Sequence, residues 1–469
     1  MSRRLASVVL GALLMAGCTL GPDYKRPPVD IPTDWRDVPT QEAASLANTP
    51  WWELFRDETL SELIRIALVE NKDLKIAVER IEEARARYGF VKADLYPQVD
   101  AAASAGRSRS SEVGPVPVPT GTDPEATDYF VGVEVNWEID FFGRFRRANE
   151  AQRALMLATE AARRSVTITL VADVASAYVD LRSFDRQLEV SRRTLESRRE
   201  YMELARVRYE GGLTSELDYR QAEAEYYRTE ALTYDFERLV AEVENEISVL
   251  LGRNPRQVPR GTSIQDEPVP PEVPPGLPSE LLERRPDLQQ AEQQLIAANA
   301  RIGEAKALLY PRIALTGSLG TESSDLGDLF TAPARTWSIA AGLLQPIFHG
   351  GRNRRRVEIV ESQQRQALYS YELSILQAFR EVEDSLVGYR KFGEQRTAQG
   401  HRVAAERKRL ELSDLRYRGG VAAYLEVLDS QRSLFSAELD EIQAIQDQLT
   451  AVIRLYKSLG GGWEPVPLP

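Results

Sequence analysis

The sequence predicts a mainly α-helical fold with a small β part, and three observations predict it. One set of motifs is written twice along the 469 residues. Apolar residues recur at steps of three and four over very long stretches, the signature of coiled-coil helices. Four short segments alternate apolar and polar residues with period two, as strands do. Each half of the chain should therefore contain a long helical hairpin and two strands.

The repeat is the firmest of these. Asp73, Leu74, Ala77, Ala84, Arg87, Gly89, Tyr96 and Pro97 match Asp287, Leu288, Ala291, Ala298, Arg301, Gly303, Tyr310 and Pro311, every pair 214 positions apart. Downstream the offset becomes 208, pairing Ile139, Gly143 and Arg144 with Ile347, Gly351 and Arg352. It stays 208 where Tyr209, Gly211, Gly212 and Leu217 match Tyr417, Gly419, Gly420 and Leu425. The difference arises between Pro97 and Ile139, so the first copy has the longer loop there. The organisation read from this is repeat 1 over 58–252 and repeat 2 over 287–459, followed by a tail over 460–469. Between the repeats, 253–286 holds nine prolines from Pro255 to Pro286 and is expected to be an extended linker that cannot continue a helix.

Tyr96-Pro97 should end the first helix, because the residue before proline disfavours the helical region. Strands are expected at about 98–107, 129–140, 312–320 and 336–347. The second is the clearest: Val131, Val133, Val135, Trp137 and Ile139 alternate with Gly132, Glu134, Asn136, Glu138 and Asp140. In the fourth, Trp337, Ile339, Ala341 and Leu343 share one face. These lengths suit tilted membrane-crossing β-strands of about 9–11 residues. A half-buried soluble sheet has the same alternation, but Glu134, Glu138 and Asp140 on one strand face suit a wet lumen.

Long helical hairpins are expected over 145–251 and 350–459. One seam runs Leu170, Val174, Ala177, Leu181, Phe184, Leu188, Ser191, Leu195, Arg198, Met202, Ala205, Tyr209; the other runs Leu425, Leu428, Arg432, Phe435, Leu439, Ile442, Gln446, Leu449, Ile453, Tyr456. Gly211-Gly212 and Gly419-Gly420 break the helices, glycine supplying a left-handed stop. Four strands cannot close on themselves, and open edges in hydrocarbon leave backbone groups unsatisfied at several kcal/mol each. Several copies must then share one barrel.

The first 17 residues read as a signal peptide. Arg3 and Arg4 precede an apolar run from Leu5 to Met15, too short to span a bilayer, and small residues Ala16 and Gly17 lead to Cys18. This resembles the lipobox of bacterial lipoproteins, with Met15 where leucine is more usual, and implies a diacylglycerol on the Cys18 thiol. Residues 18–57 would then be a lipid-anchored extended segment. Thr19, not aspartate, follows the cysteine, so the commonest inner-membrane retention signal is missing. No later segment is a continuous apolar stretch of helix-spanning length. The net charge of −12, without a basic stripe, argues against nucleic acid. Two histidines and one cysteine leave little for catalysis or metal binding: His349 and His401 have no ligand partner at useful spacing, and no phosphate loop or nucleophile elbow is present.

The doubled pattern of LYP-strand, strand ending near FFGR or GGR, long hairpin and YxGG strongly resembles the outer membrane factor family. The nearest likeness is to its lipoprotein branch of RND-type efflux channels, the TolC/OprM-like, NodT-type proteins. QPIFHGGR (345–352), YRGGVAAYLEVLDSQRSLF (417–435) and LYKSLGGGW (455–463) are the most specific stretches. The resemblance implies a homotrimer with a twelve-stranded transmembrane β-barrel and a periplasmic α-barrel. It implies a passive exit duct for drugs or other small molecules, anchored in the outer membrane and reaching into the periplasm. A periplasmic adaptor and an inner-membrane RND-type transporter would be its partners. It implies no enzyme activity and no cofactor beyond the lipid on Cys18. Asp429 matches the family's aspartate ring at the gate, and Leu425, one turn earlier, its hydrophobic ring. Carboxylates converging on an axis would repel one another and favour cations. Arg416, Tyr417 and Arg418 match positions that latch neighbouring helices. The turns Gly211, Gly212, Leu213, Thr214 and Gly419, Gly420, Val421, Ala422 are the expected adaptor docking points. The first repeat has Gln221 where Asp429 falls, so the ring would come from the second repeat only. Alternatives are the outer-membrane duct of a type I protein secretion system and a non-channel periplasmic coiled-coil lipoprotein.

Overall fold

In the computed structural model the residues described are 19–36, 57–115, 118–119, 121–261, 264 and 275–461. The signal peptide and Cys18 lie outside them. So do all of 37–56 and most of the tail. Among the described residues the elements are helices α1 (Glu58–Glu70) and α2 (Lys72–Ala93), strands β1 (Gln98–Arg109) and β2 (Glu125–Ile139), and helices α3 (Arg144–Glu210) and α4 (Glu216–Leu250). Then come α5 (Leu281–Arg284), α6 (Pro286–Ala307), β3 (Arg312–Ser323), β4 (Arg335–Leu344), α7 (Arg352–Arg418) and α8 (Tyr424–Ser458). Both α3 and α7 are 67 residues long, and both α4 and α8 are 35.

The described residues fall into two compact units, one lying within 1–28, 81–159 and 291–371, the other within 29–80, 160–290 and 372–469. The first holds a four-stranded antiparallel sheet in the order β1-β2-β3-β4. Its register explains the alternation. Residues directly opposite share a face. The row Val99, Val135, Gly317, Ile339 and the row Ala101, Val133, Leu319, Trp337 lie on one face, with Trp137, Leu315, Ala341 and Ile139, Ile313, Leu343 beyond them. The row Asp100, Glu134, Ser318, Ser338 and the row Gln98, Asn136, Thr316, Ala340 lie on the other. The Ser318 and Ser338 hydroxyls are 2.8 Å apart and share a hydrogen bond. The apolar side is not covered: Leu319 is 67%, Trp337 72% and Ile339 81% exposed. A sheet apolar on one face and polar on the other, both open, is a wedge of barrel wall. No helix among the described residues is long and apolar enough to cross a membrane.

The strands differ from expectation at their ends. β1 and β2 extend further toward their connecting loop, where Glu125 pairs with Arg107 at 2.5 Å and faces Arg109 in the ladder. β4 stops at Leu344 because Gln345 precedes Pro346, which has no N–H to donate.

A strap over residues 19–26 runs against the helices of this unit. Arg147, 4% exposed, donates to the carbonyl oxygens of Leu20 and Gly21 and pairs with Asp23 at 2.7 Å. Arg26 grips Glu292 through two nitrogens at 2.7 and 2.6 Å, and Tyr24 donates to the same carboxylate at 3.1 Å. Strap and α6 touch backbone to backbone: a Cβ at Gly303 would sit 2.3 Å from the Leu20 carbonyl oxygen, so only glycine fits. Beside it, Ala151 and Ala154 of α3 pack on Ala297 and Ala300 of α6, small residues letting the helices approach closely.

In the second unit the greater part of α3 packs with α4, α7 and α8. Most of the first seam is buried as its spacing requires: Leu170, Val174, Ala177, Leu181 and Ala205 are at or below 5% exposure. Tyr209 departs from it at 40%. In the second seam Leu425 is 56% exposed, whereas Leu428 and Ile442 are 1%. Seam residue Ser191 hydrogen-bonds Thr233 of α4 at 2.7 Å, one buried hydroxyl satisfying the other. Helix α1 begins at Asp57, whose carboxylate accepts from Leu60 N at 3.0 Å and from the Tyr178 hydroxyl at 3.2 Å.

The expectation that 253–286 is wholly extended needs correcting. Pro278–Glu280 forms a 3-10 turn and Leu281–Arg284 a helical turn, and Pro286 opens α6. Prolines at the first positions of a helix cost nothing, because those N–H groups have no partner inside the helix anyway. The turn is held by burial of Leu281 and Leu282, at 2% and 8% exposure.

Candidate gate at the hairpin ends

Both hairpins turn by the same device. At the end of α3, Leu213 N donates to the Arg208 carbonyl at 2.8 Å and Gly212 N to that of Tyr209 at 2.9 Å; at the end of α7, Val421 N reaches Arg416 and Gly420 N reaches Tyr417, both at 3.0 Å. This double closure places Gly212 and Gly420 at φ +70° and +72°, a left-handed conformation that glycine takes without a Cβ penalty. Leu213 and Val421, next in each turn, project into solvent at 81% and 70% exposure. The second arms begin differently. Ser215 caps α4 by accepting from Asp218 N at 3.3 Å, and Thr214 bonds the Asp218 carboxylate. Ala423, at the same place before α8, offers no side-chain cap.

Behind the turns the two hairpins share a small aromatic core. Ala205 and Ala222 of the first pack with Tyr417, Tyr424, Val427 and Leu428 of the second. The Tyr417 and Tyr424 rings lie 5.7 Å apart, and the Arg208 guanidinium sits over Tyr417 at 4.7 Å. Tyr201 donates to Asp414 at 2.6 Å, and Arg418 pairs with the same carboxylate at 2.8 Å. Burial and then the Asp414 hydrogen bond push the Tyr201 hydroxyl up to about 12, so it stays a donor. Arg416 pairs with Glu426 of its own hairpin at 3.0 Å.

Deeper in, a buried ion pair joins the arms. Arg198 of α3 and Glu225 of α4 are 2.9 Å apart with side chains 4% and 5% exposed. Arg198 also donates to the Glu225 carbonyl at 3.1 Å and to Thr229, while Arg432 of α8 reaches the same carboxylate from the other hairpin. Burial lowers the Arg198 pKa, with Glu225 opposing it. Sequence reasoning placed Arg198 and Arg432 on the seams but did not single out Glu225. Two arginines at apolar seam positions were the signal that a carboxylate must lie between them.

Asp429 and Leu425 occupy one face of α8, four residues apart and both exposed. Asp429 contacts Arg409 of α7 within the same chain. Tyr417 is buried in the aromatic core, whereas Arg416 and Arg418 stand outside it. Residues Gly211–Gly212 and Gly419–Gly420 are exposed, and Thr214 and Ala422 half-buried. Cys18 lies outside the described residues. Among those described, no group of three or more His, Cys, Asp or Glu side chains is placed to hold a metal ion, and His349 and His401 are both exposed.

A family model described as outer membrane efflux protein matches residues 63–253 and again 277–461. The chain belongs to the outer membrane efflux protein family. Two copies of the family pattern thus coincide with the sequence repeat. The chain is 37% identical to the solvent efflux pump outer membrane protein SrpC of Pseudomonas putida, covering 98% of this chain and 99% of that one. It is 34% identical to the cation efflux system protein CusC of Escherichia coli, covering 97% of each. Its fold superposes on the open-state MtrE outer-membrane channel of Neisseria gonorrhoeae with a TM-score of 0.86 at 31% identity, over 95% of this chain and 99% of that one. This outer membrane efflux protein is the outer-membrane channel of a tripartite efflux system, extending into the periplasm, and not an enzyme.

Proposed function

We propose that three copies form one passive conduit. Each four-stranded sheet supplies a third of a twelve-stranded barrel, and the hairpins line a periplasmic tunnel that narrows at their ends. The observation that carries this is the sheet itself: β1 and β4 are its edges, and one face is apolar while the other is polar. Unpaired edges are not tolerated in hydrocarbon, so neighbouring copies must pair β1 with β4. In this reading Leu425 and Asp429 form stacked rings at the narrow end. The neighbouring copies compete for Arg416 and Arg418, which their own carboxylates hold here. Gly211–Thr214 and Gly419–Ala422 are the docking turns for a periplasmic adaptor, and an inner-membrane RND-type transporter selects the cargo. Relatives named for solvents and for cations fit a duct that itself imposes little selectivity. A diacylglycerol on Cys18 would hold the N-terminus to the outer membrane. Light scattering of the purified protein in detergent, with conductance in planar bilayers, tests the assembly. A mass of three chains and a stable open conductance are expected; a monomer without conductance would sink the proposal.

A further inference from the structure

Where the strands meet the helices, the two repeats treat one arginine motif differently. β2 leads into Arg144, Arg146 and Arg147; β4 leads into Arg352, Arg354 and Arg355, each 208 positions later. In the first repeat every guanidinium has a carboxylate. Arg144 pairs with Glu138 at 2.8 Å, Arg146 with Asp140 at 3.2 Å, and Arg147 with Asp23 and Glu150 at 2.7 and 2.8 Å. In the second repeat the places of Glu138 and Asp140 are taken by Pro346 and Phe348. Only the counterpart of Glu150 survives, as Glu358, and it takes Arg355 at 2.6 Å. Arg352, Arg354 and the additional Arg356, which stands where the first repeat has Ala148, are exposed and have no carboxylate partner among the described residues.

In the places of those acids stand apolar groups that nothing among the described residues covers. Ile347 is 94% and Phe348 86% exposed, directly after the strand whose Trp337, Ile339 and Leu343 lie on the exposed apolar face of the sheet. At 100° per residue, Arg352, Arg356 and the 57% exposed Ile359 share one side of α7, and Arg354 lies on the other side of the same turn. Three unneutralised cations within two helical turns repel one another, and cations are disfavoured in the first turn of a helix. An apolar step beside a cationic one, at the edge of a membrane-crossing strand, matches one kind of molecule.

We propose that Arg352, Arg354 and Arg356 bind the headgroup phosphates of anionic phospholipid in the periplasm-facing leaflet, with Ile347 and Phe348 set among the acyl chains. The first repeat, its arginines already neutralised by the chain itself, does not. The outer-membrane duct is thereby fixed in depth on one side of each copy by lipid and on the other by its own carboxylates.

The test uses the full-length oligomer, incubated in detergent micelles with equal amounts of phosphatidylglycerol and phosphatidylcholine, repurified, and its bound lipid counted by mass spectrometry. Phosphatidylglycerol should be enriched roughly tenfold, within what three arginines near an anionic headgroup supply. The variant Arg352→Gln/Arg354→Gln/Arg356→Gln should lose the enrichment and the corresponding triple lysine variant keep it. A control with Arg206→Gln/Arg220→Gln/Arg238→Gln on the hairpins should also keep it. Should the glutamine variant not fold, raising salt on the unaltered protein from about 0.05 to about 0.5 M must strip phosphatidylglycerol selectively. The proposal is overturned by no enrichment in the unaltered protein, by full enrichment in the glutamine variant, or by displacement of the lipid with equimolar inorganic phosphate. It is equally overturned if the glutamine variant simply falls apart into monomers whatever the lipid, because the arginines would then serve the neighbouring copy.

Discussion

Replacing Glu225 with leucine removes the carboxylate that, among the described residues, holds Arg198 and also receives Arg432. Both partners of the inner pair are about 95% buried, so the change strands a guanidinium in the hairpin interior. Breaking a buried pair in this way costs about 3–5 kcal/mol. Arg198 retains Thr229 and the residue-225 carbonyl as acceptors, which places the cost near 3 kcal/mol. Arg432 is 44% exposed and its release adds little, ~0–1 kcal/mol. Arg198→Met should cost less, about 2 kcal/mol, because Glu225 keeps Arg432. With Arg198→Met and Glu225→Leu together no buried charge is orphaned, and stability should return to within about 1 kcal/mol of the starting protein. The assay is thermal melting of the detergent-solubilised oligomer by helical circular dichroism, with the four proteins compared under one set of conditions. The ranking is the test: the double variant must melt above the Glu225→Leu single variant. A double variant that loses the sum of the two singles would refute the claim that the pair, and not the packing around it, governs this level of the hairpin.

Other outcomes follow from the same region. Asp429→Ala takes the carboxylate from the exposed face of α8 and should raise the conductance of the isolated channel in planar bilayers; unchanged conductance counts against a ring there. Ala423→Ser gives α8 the side-chain cap that Ser215 gives α4, and should raise the melting temperature, the gain being about 0.5–1 kcal/mol; no rise means the turn already finds its partners elsewhere. A Cβ at Gly420 meets nothing within 4 Å, and aspartate tolerates positive φ better than most residues. Gly420→Asp should therefore leave assembly intact yet abolish drug resistance in cells, and retained resistance would argue against docking at this turn. For Tyr201 the sign is fixed by its raised pKa of about 12, against 10 for the free side chain. The native state binds the proton more tightly, so the contribution is complete below pH 10 and is lost as pH rises through 12. Tyr201→Phe should melt lower at neutral pH and show a shallower loss between pH 10 and 12; identical alkaline slopes would show that the hydroxyl is not held.

Much of the architecture was legible because period and punctuation are local. Gly212 and Gly420 marked the turns, since only a left-handed residue closes both carbonyls there, and they lie 208 apart as the repeat demands. The alternation of Val131 to Ile139 already separated an apolar from a polar face, and the ladder carries that separation across all four strands. Less was legible where a long-range partner decides. The turn at Leu281–Arg284 was hidden by its prolines, and burial of Leu281 and Leu282 produced it. Glu225 was invisible because its partners are 27 residues before it and 207 after it, on two other helices.

By itself the sequence determined the repeat, the kinds of element and their order, because each of these follows from periodicity along the chain. Only the tertiary structure decided which side chains spend their charge inside the chain and which remain open to partners. Asp414 with Tyr201 and Glu225 with Arg198 are internal commitments; Arg352, Arg354 and Arg356 remain without a carboxylate among the described residues. That distinction rests on distances of about three ångströms between residues far apart in sequence. A one-dimensional pattern cannot carry it.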